Sequence, residues 1–261
     1  MRELGEGARS GKTNKVRKIL STGIVSSADM NYSTKGNDLP LYMATFNGHL
    51  DVVKVLLDGG ANPNIGEVQY GMTPLHVAAR KGYPDLAKIL LDEGAEPNIV
   101  TQNESTALHH AASKGHNDLV QLLLDGGANP NMANQNGWTA LLLAAWKRHI
   151  DMVQLLIDSG VNPNTANVRG ATPLHVAALE GYNDIVQLLL HRGGKPNVTN
   201  ILGKTPLYGA AYKGHRGVVE LLLIGGAKTS IADQLGRTPL NIANERGHTF
   251  IADILTREWN E

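Results

Sequence analysis

Ten histidines are the first residues in this chain whose side chains could do chemistry. An imidazole can ligate a metal or move a proton near neutral pH. A metal site needs its ligands brought to one point, and a spacing such as H-E-x-x-H would do so on one helix face. No such spacing occurs. His76, His109 and His175 hold the same place in a repeated word, and His49, His116, His149, His215 and His248 follow a repeated turn. Residues spaced this way fall on successive copies of a unit. Their expected role is structural hydrogen bonding, with no metal bound.

Other motifs fail on their own requirements. Gly5-Glu6-Gly7-Ala8-Arg9-Ser10-Gly11-Lys12-Thr13 looks like a phosphate-binding loop, yet Glu6 stands where glycine is needed and no apolar strand precedes it. The stretch reads as the first helix and turn of an N-terminal cap. There is no G-x-S-x-G elbow and no distinctive acidic pair. No catalytic residue and no cofactor are therefore expected. The absence of cysteine excludes a disulfide-stapled secreted fold and a cysteine-based zinc site. Glycosylation-type triplets at Asn31, Asn103 and Asn197 carry little meaning without a secretory signal, and the start of the chain has no apolar signal core. The apolar run Ala140–Trp146 is too short to span a bilayer. With 24 basic and 24 acidic residues, whole-molecule attraction to nucleic acid or an anionic membrane is disfavoured. The expectation is a soluble intracellular protein, cytoplasmic or nuclear, with no membrane insertion.

The elements that must position these side chains repeat. Thr73-Pro74-Leu75-His76 returns in variant form at Thr106, Thr139, Thr172, Thr205 and Thr238, each 33 residues after the last. Such a period marks an array of stacked supersecondary units. In the copy over residues 170–202, Thr172 suits a helix N-cap and Pro173 the first helical position, whose N–H would be orphaned anyway. Gly181 suits the left-handed end of that short helix. Residues 184–190 form a second helix with apolar residues over so much of its circumference that it must pack on both sides. Gly193-Gly194-Lys195-Pro196-Asn197 then breaks the chain.

The pattern G-x-T-P-L-H-x-A-A-x-x-G-H, followed by V-x-L-L-L and G-A-x-P-N, resembles the ankyrin repeat over nearly the whole chain. The resemblance implies an all-α solenoid of helix-turn-helix units joined by β-hairpin-like loops, in one domain over 1–261. Residues 1–34 read as a degenerate N-terminal cap, with Val16, Ile19 and Leu20 on its apolar face. Repeats then cover 35–70, 71–103, 104–136, 137–169, 170–202 and 203–235, and 236–261 reads as the C-terminal cap. One extra residue precedes Thr73. Asn64, Asn98, Asn131, Asn164 and Asn197 match a loop position hydroxylated in some members of the family; the residues themselves suit turn-stabilising hydrogen bonds.

The resemblance also implies a concave face lined by hairpin tips and first helices. Two positions before each turn point there, among them Arg80 and Lys81, Lys114, Trp146 and Lys147, and Tyr212 and Lys213. So does the residue before each word, such as Met72 and Trp138, with Tyr70 at a tip. Lys81, Lys114, Lys147, Lys213 and Arg246 form a basic row interrupted by Glu180. Such a row favours acidic or phosphorylated segments, although lysine is also usual at this family position. Trp138 and Trp146 share one repeat, where they suit either a binding hot spot or packing against neighbouring repeats. That repeat breaks a local rule, with Arg148 where others have a turn glycine, and Glu104 replaces a tip glycine in the repeat before.

These residues point to a non-enzymatic protein-interaction module or scaffold, monomeric when free. Its protein or peptide partner would carry acidic and apolar segments. The alternative is a regulatory or targeting segment of a larger multidomain protein or bacterial effector whose activity lies elsewhere.

Overall fold

The computed structural model describes residues 2–31 and 39–257. The repeat boundary expected at 34/35, two residues of the Asn31 triplet and the polar end at 258–261, with Trp259, lie outside the described residues. Those described form helices and no strand. They divide into two compact units, Met1–Gln135 and Asn136–Glu261.

In the first unit the helices are α1 (Arg2–Arg9), α2 (Thr13–Ser21), α3 (Ser27–Met30), α4 (Pro40–Phe46), α5 (Leu50–Asp58), α6 (Pro74–Lys81), α7 (Pro84–Asp92), α8 (Ala107–Lys114) and α9 (Asn117–Asp125). First helices stack on first helices, α1 on α4, α4 on α6 and α6 on α8; α2, α5, α7 and α9 stack likewise as a second layer. The second unit holds α10 (Ala140–Trp146), α11 (Ile150–Asp158), α12 (Pro173–Glu180), α13 (Asn183–His191), α14 (Pro206–Lys213), α15 (Arg216–Ile224), α16 (Pro239–Glu245) and α17 (Thr249–Thr256). Its layers are α10-α12-α14-α16 and α11-α13-α15-α17.

The repeated word starts the first helices as its chemistry requires. Thr73 and Thr172 accept the backbone N–H of His76 and His175, and those imidazoles reach back to the cap residue. A threonine cap contributes about 1 kcal/mol. Alanines fill the first-helix layer: Ala177, Ala178, Ala210 and Ala211 are fully buried, and their small side chains let neighbouring helices approach. Leucines and β-branched residues fill the second layer, as at Ile185, Val186 and Leu189 of α13. The phosphate-loop look-alike is helix α1 and its turn, with Gly7 packed against Val16.

Five tips close on themselves. Asn167 N–H donates to the Ala171 carbonyl and Asn200 N–H to the Lys204 carbonyl. The tip of Asn200 then reaches the preceding one, where Ile201 N–H donates to the Arg169 carbonyl at 3.0 Å. The extra residue before Thr73 is absorbed here: Glu67 pairs with Met72, a step of five rather than four. The loop asparagines act as straps. Asn164 Nδ2 donates to the Gly193 carbonyl at 2.9 Å while its Oδ1 accepts Lys195 N–H at 2.7 Å. Asn64, Asn98 and Asn197 repeat this double bond to the following repeat.

Candidate interaction site

The histidines do structural work. His76 shares Nδ1 with the Thr73 hydroxyl at 2.8 Å and places Nε2 3.1 Å from the Ser105 carbonyl. Burial pushes its pKa down to about 4, against the hydrogen bonds to the Ser105 and Ile99 carbonyls. His215 and His248 begin second helices and bond back to the Leu179 and Tyr212 carbonyls of the preceding repeat. Among the described residues no group of three or more His, Asp or Glu side chains could hold a metal.

Those turn histidines explain the turn glycines. A Cβ on Gly181 would lie 2.7 Å from the His215 ring. A Cβ on Gly48 would lie 3.4 Å from Tyr83, which replaces histidine in the next repeat and leaves ordinary contact distance. Arg148 adopts φ 58° and Glu104 φ 61°, the only non-glycine residues with positive φ among those described. The repeat after Arg148 also carries tyrosine, Tyr182, whose ring lies 5.4 Å from the guanidinium. Asp184 accepts from Arg148 Nε at 3.3 Å and Nη2 at 3.2 Å. Arg148 is thus engaged by the next repeat and does not line the groove.

That groove, about 690 Å³, lies in the second unit. Trp138 and Trp146 form part of its wall, their ring centroids 5.6 Å apart and inclined by 57°. Trp146 remains 42% exposed, and Trp138 is half-buried. Val168, Leu179, Ile201 and Leu202 complete an exposed apolar lining, with Arg169 and Glu180 the charged residues on its rim. The hollow continues past Val176, Leu179 and Leu202 to Tyr208 and Tyr212. Tyr212 is held by Arg246, whose guanidinium stacks over its ring at 4.0 Å and bonds its hydroxyl.

Three basic-row residues rest on aromatic rings: Lys147 Nζ is 3.8 Å from the Trp146 centroid, Lys81 Nζ is 4.3 Å from that of Phe46, and Arg246 covers Tyr212. Lys114 and Lys213 are exposed.

In the first unit a separate cleft of about 550 Å³ joins Tyr70, Arg80, Gln102, Asn103, His110 and Gln135. Tyr70 is exposed. Met72, expected to face the groove, borders this cleft but is 4% exposed and packs with Leu39, Tyr42 and Val77. Sequence reasoning passed over Val168, Ile201 and His110. The first two sit at tips, where a lone apolar residue carries no local signal; His110 follows the repeated word where Val77 and Val176 stand elsewhere.

The ankyrin-repeat family model, in three copies, matches residues 4–101, 93–167 and 174–260. The chain belongs to the ankyrin-repeat family. A second ankyrin-repeat model covers residues 147–190 of the same array. Among solved structures, the ankyrin-repeat domain of Bcl-3, described as a unique member of the IkappaB protein family, is similar at 30% identity and a TM-score of 0.74. The match covers 83% of this chain and 97% of that one. A search of curated proteins finds no match. Ankyrin repeats are protein-interaction modules with no enzymatic activity of their own, and no described helix here is long and apolar enough to cross a membrane.

Proposed function

We propose that this chain is a non-enzymatic scaffold that binds a protein partner through the ankyrin groove of its second unit. The observation that carries this reading is the tilted Trp138–Trp146 pair, left partly exposed beside Val168, Leu179, Ile201 and Leu202. A partly buried tryptophan beside an open apolar hollow offers a large, rigid contact area at low entropic cost, which is the character of an interface hot spot. Contiguous exposed apolar lining on a soluble surface supports the same reading. The partner is an extended segment or domain edge with apolar anchors, and it works in the cytoplasm or nucleus. Lys147, Lys213 and the first-unit lysines favour acidic flanks on it.

The test is a Trp138→Ala, Trp146→Ala double variant. A partner recovered from source cells with the native chain is measured by calorimetry against both proteins. Loss of a few kcal/mol with unchanged circular dichroism is expected. Equal affinity refutes the groove.

A further inference from the structure

The cleft in the first unit is built differently from the apolar groove. Arg80 stands where other repeats place Trp146, Leu179 or Tyr212. It is half-buried, and no hydrogen bond or ion pair holds its guanidinium among the described residues. The nearby carboxylate of Glu67 is committed to its own tip, accepting the N–H groups of Gln69, Tyr70 and Met72. The Asn103 Oδ1 accepts from the Thr101 hydroxyl at 2.6 Å, and no hydrogen bond among the described residues takes its Nδ2 donors. Gln102 and Gln135 add two more amide groups to the lining. His110 Nε2 is buried with no hydrogen-bond partner among the described residues.

The charges that act on His110 have one sign. Burial is the main reason the His110 imidazole is held neutral, with a pKa of about 3, and His76, Arg80, His109 and Lys114 all act in the same direction. A buried polar atom and a guanidinium, neither with a hydrogen-bond or ion-pair partner among the described residues, are a cost that a native structure keeps where something else supplies the missing group.

We infer that this cleft is a second binding subsite that takes one carboxylate, the Asp or Glu side chain of a partner segment, on the Arg80 guanidinium and the Asn103, Gln102 and Gln135 amides. A guanidinium pairs two donors with a carboxylate's two oxygens, and the amides satisfy its remaining lone pairs. Arg80 is the one Lys or Arg that lines the cleft, and it balances one negative charge, which fits a carboxylate and leaves a phosphate dianion under-compensated. The inference rests on the reading that the chain binds protein segments, but it needs nothing from the tryptophan groove.

The experiment uses the full chain, isotope-labelled, and three capped tripeptides: acetyl-Gly-Glu-Gly-amide, its Gln analogue and its phosphoserine analogue. Nuclear magnetic resonance follows Arg80 Nε–H and the His110 ring. The Glu peptide should shift both signals saturably and the Gln peptide should bind at least tenfold more weakly. Arg80→Gln should abolish the shifts, Arg80→Lys should retain part of them, and the indole signals of Trp138 and Trp146 should not move. Equal shifts from Glu and Gln peptides, or shifts confined to Lys81 and Lys114, overturn the subsite. Phosphoserine binding more than tenfold tighter overturns the choice of carboxylate. None of these outcomes bears on the Trp138/Trp146 variant, so the two readings fail separately.

Discussion

Replacing Gly181 with alanine tests why the turn is glycine in some repeats and tolerant in others. Gly181 has φ 80°, and the added Cβ would lie 2.7 Å from the His215 ring. The left-handed backbone alone costs an alanine about 1 kcal/mol. Relieving the collision moves the imidazole off the Leu179 carbonyl, now 3.1 Å away, and a lost hydrogen bond costs about 1 kcal/mol more. Gly181→Ala should therefore cost about 2 kcal/mol. Gly48→Ala has a similar φ of 75° but meets Tyr83 at 3.4 Å, so only the backbone cost of about 1 kcal/mol applies. In a His215→Tyr background, Gly181→Ala should also fall to about 1 kcal/mol, a coupling of about 1 kcal/mol between the two sites. That pair copies the native combination of Arg148 and Tyr182. Urea unfolding followed by circular dichroism, fitted as a sum of repeat and interface terms, measures all four proteins of the cycle. Equal costs at Gly181 and Gly48, or no recovery with His215→Tyr, would show that the following residue does not govern the turn.

Asn164→Ala removes two hydrogen bonds to the next repeat and should cost about 2 kcal/mol, read as a lower urea midpoint; an unchanged midpoint would show the strap to be idle. His110→Val puts in place the residue found at Val77 and Val176, removes an unsatisfied nitrogen and should raise stability by about 1 kcal/mol, whereas destabilisation would reveal a hidden partner. Acid should weaken the first unit early. His76 and His110 have folded pKa values of about 4 and about 3, below the ordinary 6.5, so the unfolded chain binds more protons between these limits. Their contribution is complete above pH 6.5 and is lost as pH falls towards those folded values, by about 3 kcal/mol for His76 at pH 4. A urea midpoint flat from pH 6.5 to 4 would contradict this burial.

Much of the scaffold was legible because one period fixes equivalent positions. Thr172, Pro173 and Gly181 each state a local backbone requirement, and each appears where its chemistry demands. Arg148 and Glu104 stood out by the same logic, as residues with side chains in places built for glycine. What stayed hidden lies between repeats. Asp184 meets Arg148 from 36 residues away, and nothing near either residue announces the pair. Arg246 reaches Tyr212 over 34 residues. Met72 shares a sequence position with Trp138, yet its neighbours Leu39 and Tyr42 close over it in the first unit. The groove wall at Val168 and Ile201 depends on tips meeting side by side, which a single repeat cannot show.

The asparagine straps have a consequence for how such a chain can change length. Each amide grips only main-chain atoms of the following repeat: the carbonyls of Gly193 and Gly226 and the N–H groups of Lys195 and Lys228. The strap itself never reads the neighbour's side chains. Duplicating or deleting one 33-residue cassette leaves every remaining strap with the same backbone to hold. Surface residues can then diverge copy by copy, as Arg80, Trp146, Leu179 and Tyr212 have at one shared position, without disturbing the straps.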